Sequence, residues 1–374
     1  MIAFALLACA RPDTGSLFGD LQTFVESDPA AADAHFIAAI DAATTELAVA
    51  LPGGENLEVT DALLAAWDRG VDLEVVTDVD RAGDPGIAAL TEALVPVRLA
   101  DGSLTYFDFA INLDVAWTSD QVVMSHAFAI ADQQTVVVAT TAALADTGPR
   151  VVFEARGETL VEDLLLEFNQ VFGGTDATAL TAFSNPAKSI VEPRWAYGTT
   201  DDTTLGVWFG PQDRLVKRVI DAVYGARASV RILTDDLSND GLARALQAKA
   251  ANGFPMTVIV GPRFGVASSS QARELEGATP DVEKFQVLAT DRLPTVVLVD
   301  FEQTRLGQRN TSMAMVLTHD LVSSSRTWLG SEVETDQLID GALFVLFDTD
   351  EPDGDGQQAL LSLFEQQLDL AEAL

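Results

Sequence analysis

The 374-residue chain is poor in the side chains on which most chemistry relies: one Cys, 3 His and 22 Lys+Arg against 57 Asp+Glu. A single thiol excludes internal disulfides and thiolate metal clusters. The three His are scattered, and no Cys/His metal spacing, G-x-S-x-G elbow or G-x-G-x-x-G turn occurs, so neither a metal nor a cofactor is expected. Only Lys188, Lys217, Lys249 and Lys284 offer ammonium groups. Nucleic-acid affinity rests on neutralising phosphates, and a net charge of -35 repels them, so no nucleic-acid partner is expected. Beyond the first ten residues no uncharged apolar run reaches 18 residues, and the body contains no candidate membrane-spanning helix.

What is present is a large apolar fraction, 48%, with acids scattered rather than in blocks. Such a chain buries a core, and its length suits two domains better than one. The acid excess has two readings. One is a surface tuned for solubility, as in a salty habitat; the other is an acidic patch that draws cations or a basic partner.

The chain repeats itself. Residues 33–51 place Phe36, Ile37 and Ile40 at helical spacing ahead of the strand-like run Glu46–Leu51, and residues 213–233 do the same. The Ile-Asp-Ala steps at Ile40–Ala42 and Ile220–Ala222 are offset by 221 − 41 = 180. A helix stopped by Gly70 precedes the alternating strand Val71–Thr77, and a helix stopped by Gly253 precedes Phe254–Val260, an offset of 253 − 70 = 183. Each half then adds two apolar strands (121–131 and 135–140; 293–301 and 313–318) and a closing helix, Glu158 to Phe172 or Gln357 to Leu370.

Strands alternating with helices predict an α/β fold of two tandem lobes, each a mixed, mainly parallel sheet flanked by helices. The expected division is 1–16 signal and tether, 17–175 first lobe, 176–204 connection rich in turn formers, and 205–374 second lobe.

This order, the run Ala62-Leu-Leu-Ala-Ala-Trp-Asp-Arg-Gly-Val-Asp-Leu-Glu-Val-Val-Thr-Asp78, and Phe209-Gly-Pro-Gln-Asp213 resemble the two-lobed form of the phospholipase D superfamily. The resemblance implies two pseudo-two-fold related lobes, each bringing one HxKxxxxD motif to a shared site. In that family one His attacks phosphorus, the other protonates the leaving oxygen, and the Lys pair holds the phosphoryl oxygens. Aligning Phe128-Ala-Ile-Ala-Asp132 on the end of the motif puts Ser125 at the His position and Ala127 at the Lys position, with Asp132 retained. In the second lobe Leu293 and Thr295 take those places, with Asp300 retained. The Ser/Asn region that follows reads Ala139-Thr140-Thr141-Ala142 in one lobe and Thr318-His319-Asp320 in the other. Neutral Ser, Ala, Leu and Thr supply neither a phosphohistidine nor fixed positive charge, so the standard activity does not carry over.

Other candidates are isolated. His126 lies one residue from the motif position, which on a strand turns it to the opposite face, and a hydrogen-bonded interior His is the simpler role. His319, with Thr318 and Asp320, stands where the family's polar site residues fall and offers anion binding or a structural hydrogen bond. His35 reads as a helix-face residue. The loop Gly261–Ser270 with Arg263 follows a strand but lacks phosphate-loop spacing. Asp348, Asp350, Asp353 and Asp355 resemble a calcium loop without its terminal Glu, and a solvated acidic turn is the default. Finally, Met1–Ala10 reads MIAFALLACA, in which Leu6-Leu7-Ala8-Cys9 resembles a bacterial lipobox; it implies acylation of Cys9 ahead of a polar tether.

The sequence therefore leads to a phospholipase D-like lipoprotein without standard catalysis, anchored in the bacterial envelope through Cys9. Its expected partners are the membrane and a small phosphorylated ligand or an envelope protein. The rivals are a divergent phosphodiesterase working through His126 and His319, and a purely structural envelope protein.

Overall fold

The computed structural model describes residues 18–19, 21–26, 28–100, 105–108, 113–116, 123–140, 148–172, 196–198, 204–210, 215–261, 284–287, 293–301, 312–319, 321, 326–328, 331–333, 339–340, 342–347 and 355–372. Its first part runs β1 (Phe18–Gly19), β2 (Leu21–Glu26), α1 (Pro29–Ala42), β3 (Glu46–Leu51), α2 (Leu57–Asp68), β4 (Asp72–Asp78), α3 (Pro85–Glu92) and β5 (Val97–Ala100). There follow β6 (Thr105–Asp108), β7 (Leu113–Ala116), β8 (Val123–Met124), β9 (Phe128–Ala131), β10 (Thr135–Ala139), β11 (Arg150–Arg156) and α4 (Glu158–Phe172). The second part begins β12 (Ala196–Gly198), β13 (Thr204–Phe209), α5 (Leu215–Gly225), β14 (Val230–Thr234), α6 (Asp240–Ala250), β15 (Met256–Val260) and β16 (Lys284–Val287). It ends β17 (Thr295–Val299), β18 (Met313–Leu317), β19 (Arg326–Trp328), β20 (Ser331–Val333), β21 (Ile339–Asp340), β22 (Ala342–Phe347) and α7 (Asp355–Glu372).

Local chemistry explains the helix limits. Asn56 accepts from the N–H groups of Glu58 and Val59 and starts α2 four residues before the expected Asp61, while Asn239 accepts from Leu242 N and starts α6. Both helices stop as expected, at Gly70 with φ 85° and Gly253 with φ 66°, where a side chain would be strained.

The duplication holds residue by residue. Sheet one has the order β2-β11-β10-β9-β3-β4-β5, and sheet two repeats it as β13-β22-β18-β17-β14-β15-β16, with β12 and β1 added beyond β13. The registers superpose: Leu47 lies opposite Leu73 and Ala131, and its counterpart Val230 lies opposite Met256 and Val299.

The sheets are mixed, but parallel pairing is the minority, which corrects the expectation of mainly parallel strands. In sheet one only β3–β4 and β4–β5 are parallel, and in sheet two β14–β15, β15–β16 and the short β1–β12 pair. The reason is connection length: a three-residue turn joins β9 to β10 and forces antiparallel pairing, whereas a helix crossover returns the chain to run parallel.

Five layers result. Helices α1 to α3 cover the outer face of sheet one around Phe36, Leu63, Val75 and Leu90, and α5 and α6 cover that of sheet two around Val219, Leu246 and Val258. The inner faces share one core with α4 and α7 between them: Phe128, Phe153 and Phe168 belong to it together with Val207, Leu298, Phe344 and Phe364. Phe153 and Phe344 meet across it with centroids 5.1 Å apart. Two strand pairs stitch the lobes further, β1 with β12 and β8 with β21.

Candidate functional site

The family motif would lie at the start of β9 and of β17, beside the ends of β3, β4 and β14. Its far end is intact. Asp132 and Asp300 follow β9 and β17, both with positive φ (51° and 60°). Asp132 accepts from Thr44 N, Thr45 N and Glu46 N and from both Thr hydroxyls, and Asp300 from Arg227 N, Ala228 N and Ser229 N. Each carboxylate thereby fastens the loop between first helix and first strand. Partial burial acts to raise the Asp132 carboxyl, but the Thr45, Thr44 and Glu46 donors outweigh it and hold it well below the usual carboxylate range.

At the other end the reactive positions are closed. Ser125 is buried, and its Oγ lies 3.4 Å from Thr318 Oγ1 of the second lobe, so two hydroxyls meet where a nucleophile would face its partner lobe. Leu293, the second His position, is part of the shared inner core. Ala127 is 1% exposed and packs into the outer core of sheet one. Thr295 is buried with its Oγ1 3.0 Å from that of Thr234. Thr140, the counterpart of Thr318, is tied to β11: its Oγ1 accepts from Val151 N and its own N–H donates to the Val151 carbonyl.

His126 points inward between the sheets, on the face of Phe128. Its Nε2 lies 3.2 Å from Glu167 Oε1 of α4, with both residues fully buried, and its ring meets Phe128 and Phe209 edge-on at 5.6 and 6.1 Å. His319 is buried beside Thr318, and Asp320 lies outside the described residues. His35 sits between Glu154 (2.6 Å) and Glu26 (3.3 Å) on the Phe24 ring, tying α1 to the edge of sheet one.

Three residues that the sequence reading missed shape this region. Asp78, at the end of β4, accepts from Met124 N and Asp80 N and so holds the backbone just ahead of Ser125. Burial pushes its carboxyl above the ordinary value, against the lowering effect of those two donors. Glu167 is the second. Its signal was an acid four residues after Asp163 on a helix whose other positions are largely apolar. The third is Arg150, wholly buried at the start of β11 and bonded at 2.5 Å to Asp33, which also accepts from Asn56.

Among the described residues no three His, Cys, Asp or Glu side chains are grouped to hold a metal. Of the acidic turn, Asp355 opens α7, while Asp348, Asp350 and Asp353 lie outside the described residues, as do Cys9 and Arg263. No helix among the described residues is long and apolar enough to cross a membrane.

Two duplicated lobes with repeated sheet order, meeting through a shared inner core, define a two-lobed α/β architecture. Comparison with solved structures agrees on the fold. Phosphatidylserine synthase of Haemophilus influenzae Rd KW20 matches with a TM-score of 0.57 and 12% identity, over 93% of this chain and 86% of its own. Polyphosphate kinase of Porphyromonas gingivalis matches equally well by both measures over 93% of this chain, which spans 50% of that protein. Nuc, a phospholipase D family member of Salmonella typhimurium, matches 40% of the chain at 21% identity with a TM-score of 0.31. No family model matches the sequence, and no curated protein does. The chain has the two-lobed fold of the phospholipase D superfamily.

Proposed function

We propose that this chain is a catalytically inert phospholipase D-like protein, held in the bacterial envelope by an acyl group on Cys9 and acting there as a binding module. The observation that carries the loss of catalysis is the contact of Ser125 with Thr318 at the lobe junction. Where the mechanism needs a His facing a second His with a Lys beside each, this chain has two hydroxyls, a core Leu and a core Ala. No phosphoryl-enzyme bond forms on such groups, and no fixed cation meets the developing charge.

The test combines turnover and labelling. Purified protein is assayed on phosphatidyl lipid, nucleic acid and a chromogenic phosphodiester, and cells expressing it are fed labelled palmitate. The reading predicts no turnover above that of a His126→Ala, His319→Ala double variant, and label that disappears in Cys9→Ser. Turnover lost in that double variant overturns the inert reading in favour of a divergent phosphodiesterase, and palmitate-free protein overturns the anchor.

A further inference from the structure

The two outer helical layers occupy equivalent places and carry opposite charge. Pro29–Asp78, which spans α1, β3, α2 and β4, has ten Asp+Glu and one cation, Arg69, a net of 1 − 10 = -9. Leu215–Val260, the same four elements of the second lobe, has four Asp+Glu and six Lys+Arg, a net of 6 − 4 = +2.

The placement of these charges deepens the contrast. Asp41, Glu55, Glu58, Asp61, Asp68 and Asp72 are all exposed. Glu46 and Asp72 lie directly opposite on β3 and β4, and Glu58 and Asp61 are one turn apart on α2; both are like-charge pairs that oppose folding. Asp41 and Asp68 stand at the C-terminal ends of α1 and α2, the negative ends of the helix dipoles, and neither helix has a basic residue in its last turn. Helix α6 shows the favourable arrangement, Asp240 in its first turn and Lys249 in its last. Glu74, next on β4, is raised above the ordinary carboxyl value by burial and by Asp72 and Glu46, with Arg98 opposing. Arg69, the one cation between Pro29 and Asp78, donates to the carbonyls of Ile40 and Asp41 at 3.0 and 3.3 Å and lies 3.9 Å from the Asp41 carboxylate. From beyond that stretch Arg81 meets only Glu55 of the exposed acids named above, at 2.8 Å.

We propose that the outer helical layer of the first lobe is a salt-dependent element, packed down fully only at high ionic strength, while the equivalent layer of the second lobe holds at any salt concentration. Mutual repulsion among exposed carboxylates reaches about 30 Å at 0.01 M salt and about 3 Å at 1 M, so added salt relieves the first layer and leaves the second, which is close to neutral, unchanged. The outer helices open locally while the inner core shared by both sheets stays closed.

Hydrogen exchange on the intact protein, read by mass spectrometry at about 0.01 M and about 1 M KCl, tests this directly. Amides of α1 and α2 are expected to exchange about tenfold faster at low salt, with α5 and α6 unchanged. The double variant Asp61→Lys, Asp68→Lys should lose most of the difference. Equal acceleration in both layers, no acceleration, or an effect of KCl that isosmotic sucrose reproduces would each overturn the proposal. If the double variant does not fold, the comparison of the two layers within the parent protein decides alone.

Discussion

Asp132 and Asp300, separated by 300 − 132 = 168 residues, are one structural device used twice: each sits at positive φ and receives three consecutive backbone N–H groups of a helix-to-strand loop. The work of both Asp is thus structural, fastening the first strand of each lobe to the helix before it.

Replacement of either Asp by Ala releases those donors and leaves a non-Gly residue with positive φ and no compensating bonds. Each change should cost about 1.5–3 kcal/mol, the range for hydrogen bonds to a charged group. Urea unfolding of Asp132→Ala and Asp300→Ala checks it. The Asp132 carboxyl is depressed, so its stabilisation is complete above the usual carboxylate range and is lost as pH falls through the depressed value. The deficit of the Asp132 variant relative to the parent should therefore shrink in strong acid.

The buried His126–Glu167 pair predicts strong non-additivity. His126→Leu takes one hydrogen-bond partner from the buried Glu167 and should cost about 1–3 kcal/mol, while combining it with Glu167→Leu should cost far less than the two single changes added together, because the polar pair is then removed as a unit. Denaturant midpoints of the two single variants and the double variant measure the coupling.

Asp78 gives a pH dependence of the opposite sign. Its carboxyl is raised by burial, so the stability linked to it is present below the ordinary Asp value and is lost as pH rises through the elevated one. Asp78→Asn removes this titration. The Tm of the parent minus that of the variant should be larger in mild acid than at neutral pH, and a difference that stays flat across the range contradicts the assignment.

Placing the family's His and Lys at the aligned positions should not produce turnover. Ala127 is 1% exposed within the outer core, so Ala127→Lys buries an ammonium group and overpacks that layer, at a cost of several kcal/mol. Protein carrying Ser125→His, Ala127→Lys, Leu293→His and Thr295→Lys should be recovered poorly folded and without turnover of a chromogenic phosphodiester. Near-UV circular dichroism and the turnover assay together decide it.

Much of this was legible in order and spacing. The Gly stops at Gly70 and Gly253, the 180-residue offset and the aligned Asp pair pointed to two equivalent lobes, because helix termination and strand alternation are local properties. The direction of strand pairing was read less well: β9, β10 and β11 are each apolar runs, and only the length of their connections dictates antiparallel neighbours. The sharing of one inner core by the two sheets was not readable, since Phe128 and Phe344 look alike in sequence whether they fill one shared core or two separate ones.

The sequence by itself determined which residues stand at the aligned motif positions, Ser125, Ala127, Leu293 and Thr295, because residue identity is a property of the chain alone. Tertiary structure alone decided what those positions and their neighbours meet: Ser125 against Thr318, His126 turned inward onto Glu167, and Asp78 holding the backbone just ahead of both. Those contacts join residues up to 193 positions apart, and their geometry depends on how two sheets face each other, a relation to which spacing along a single chain gives no access.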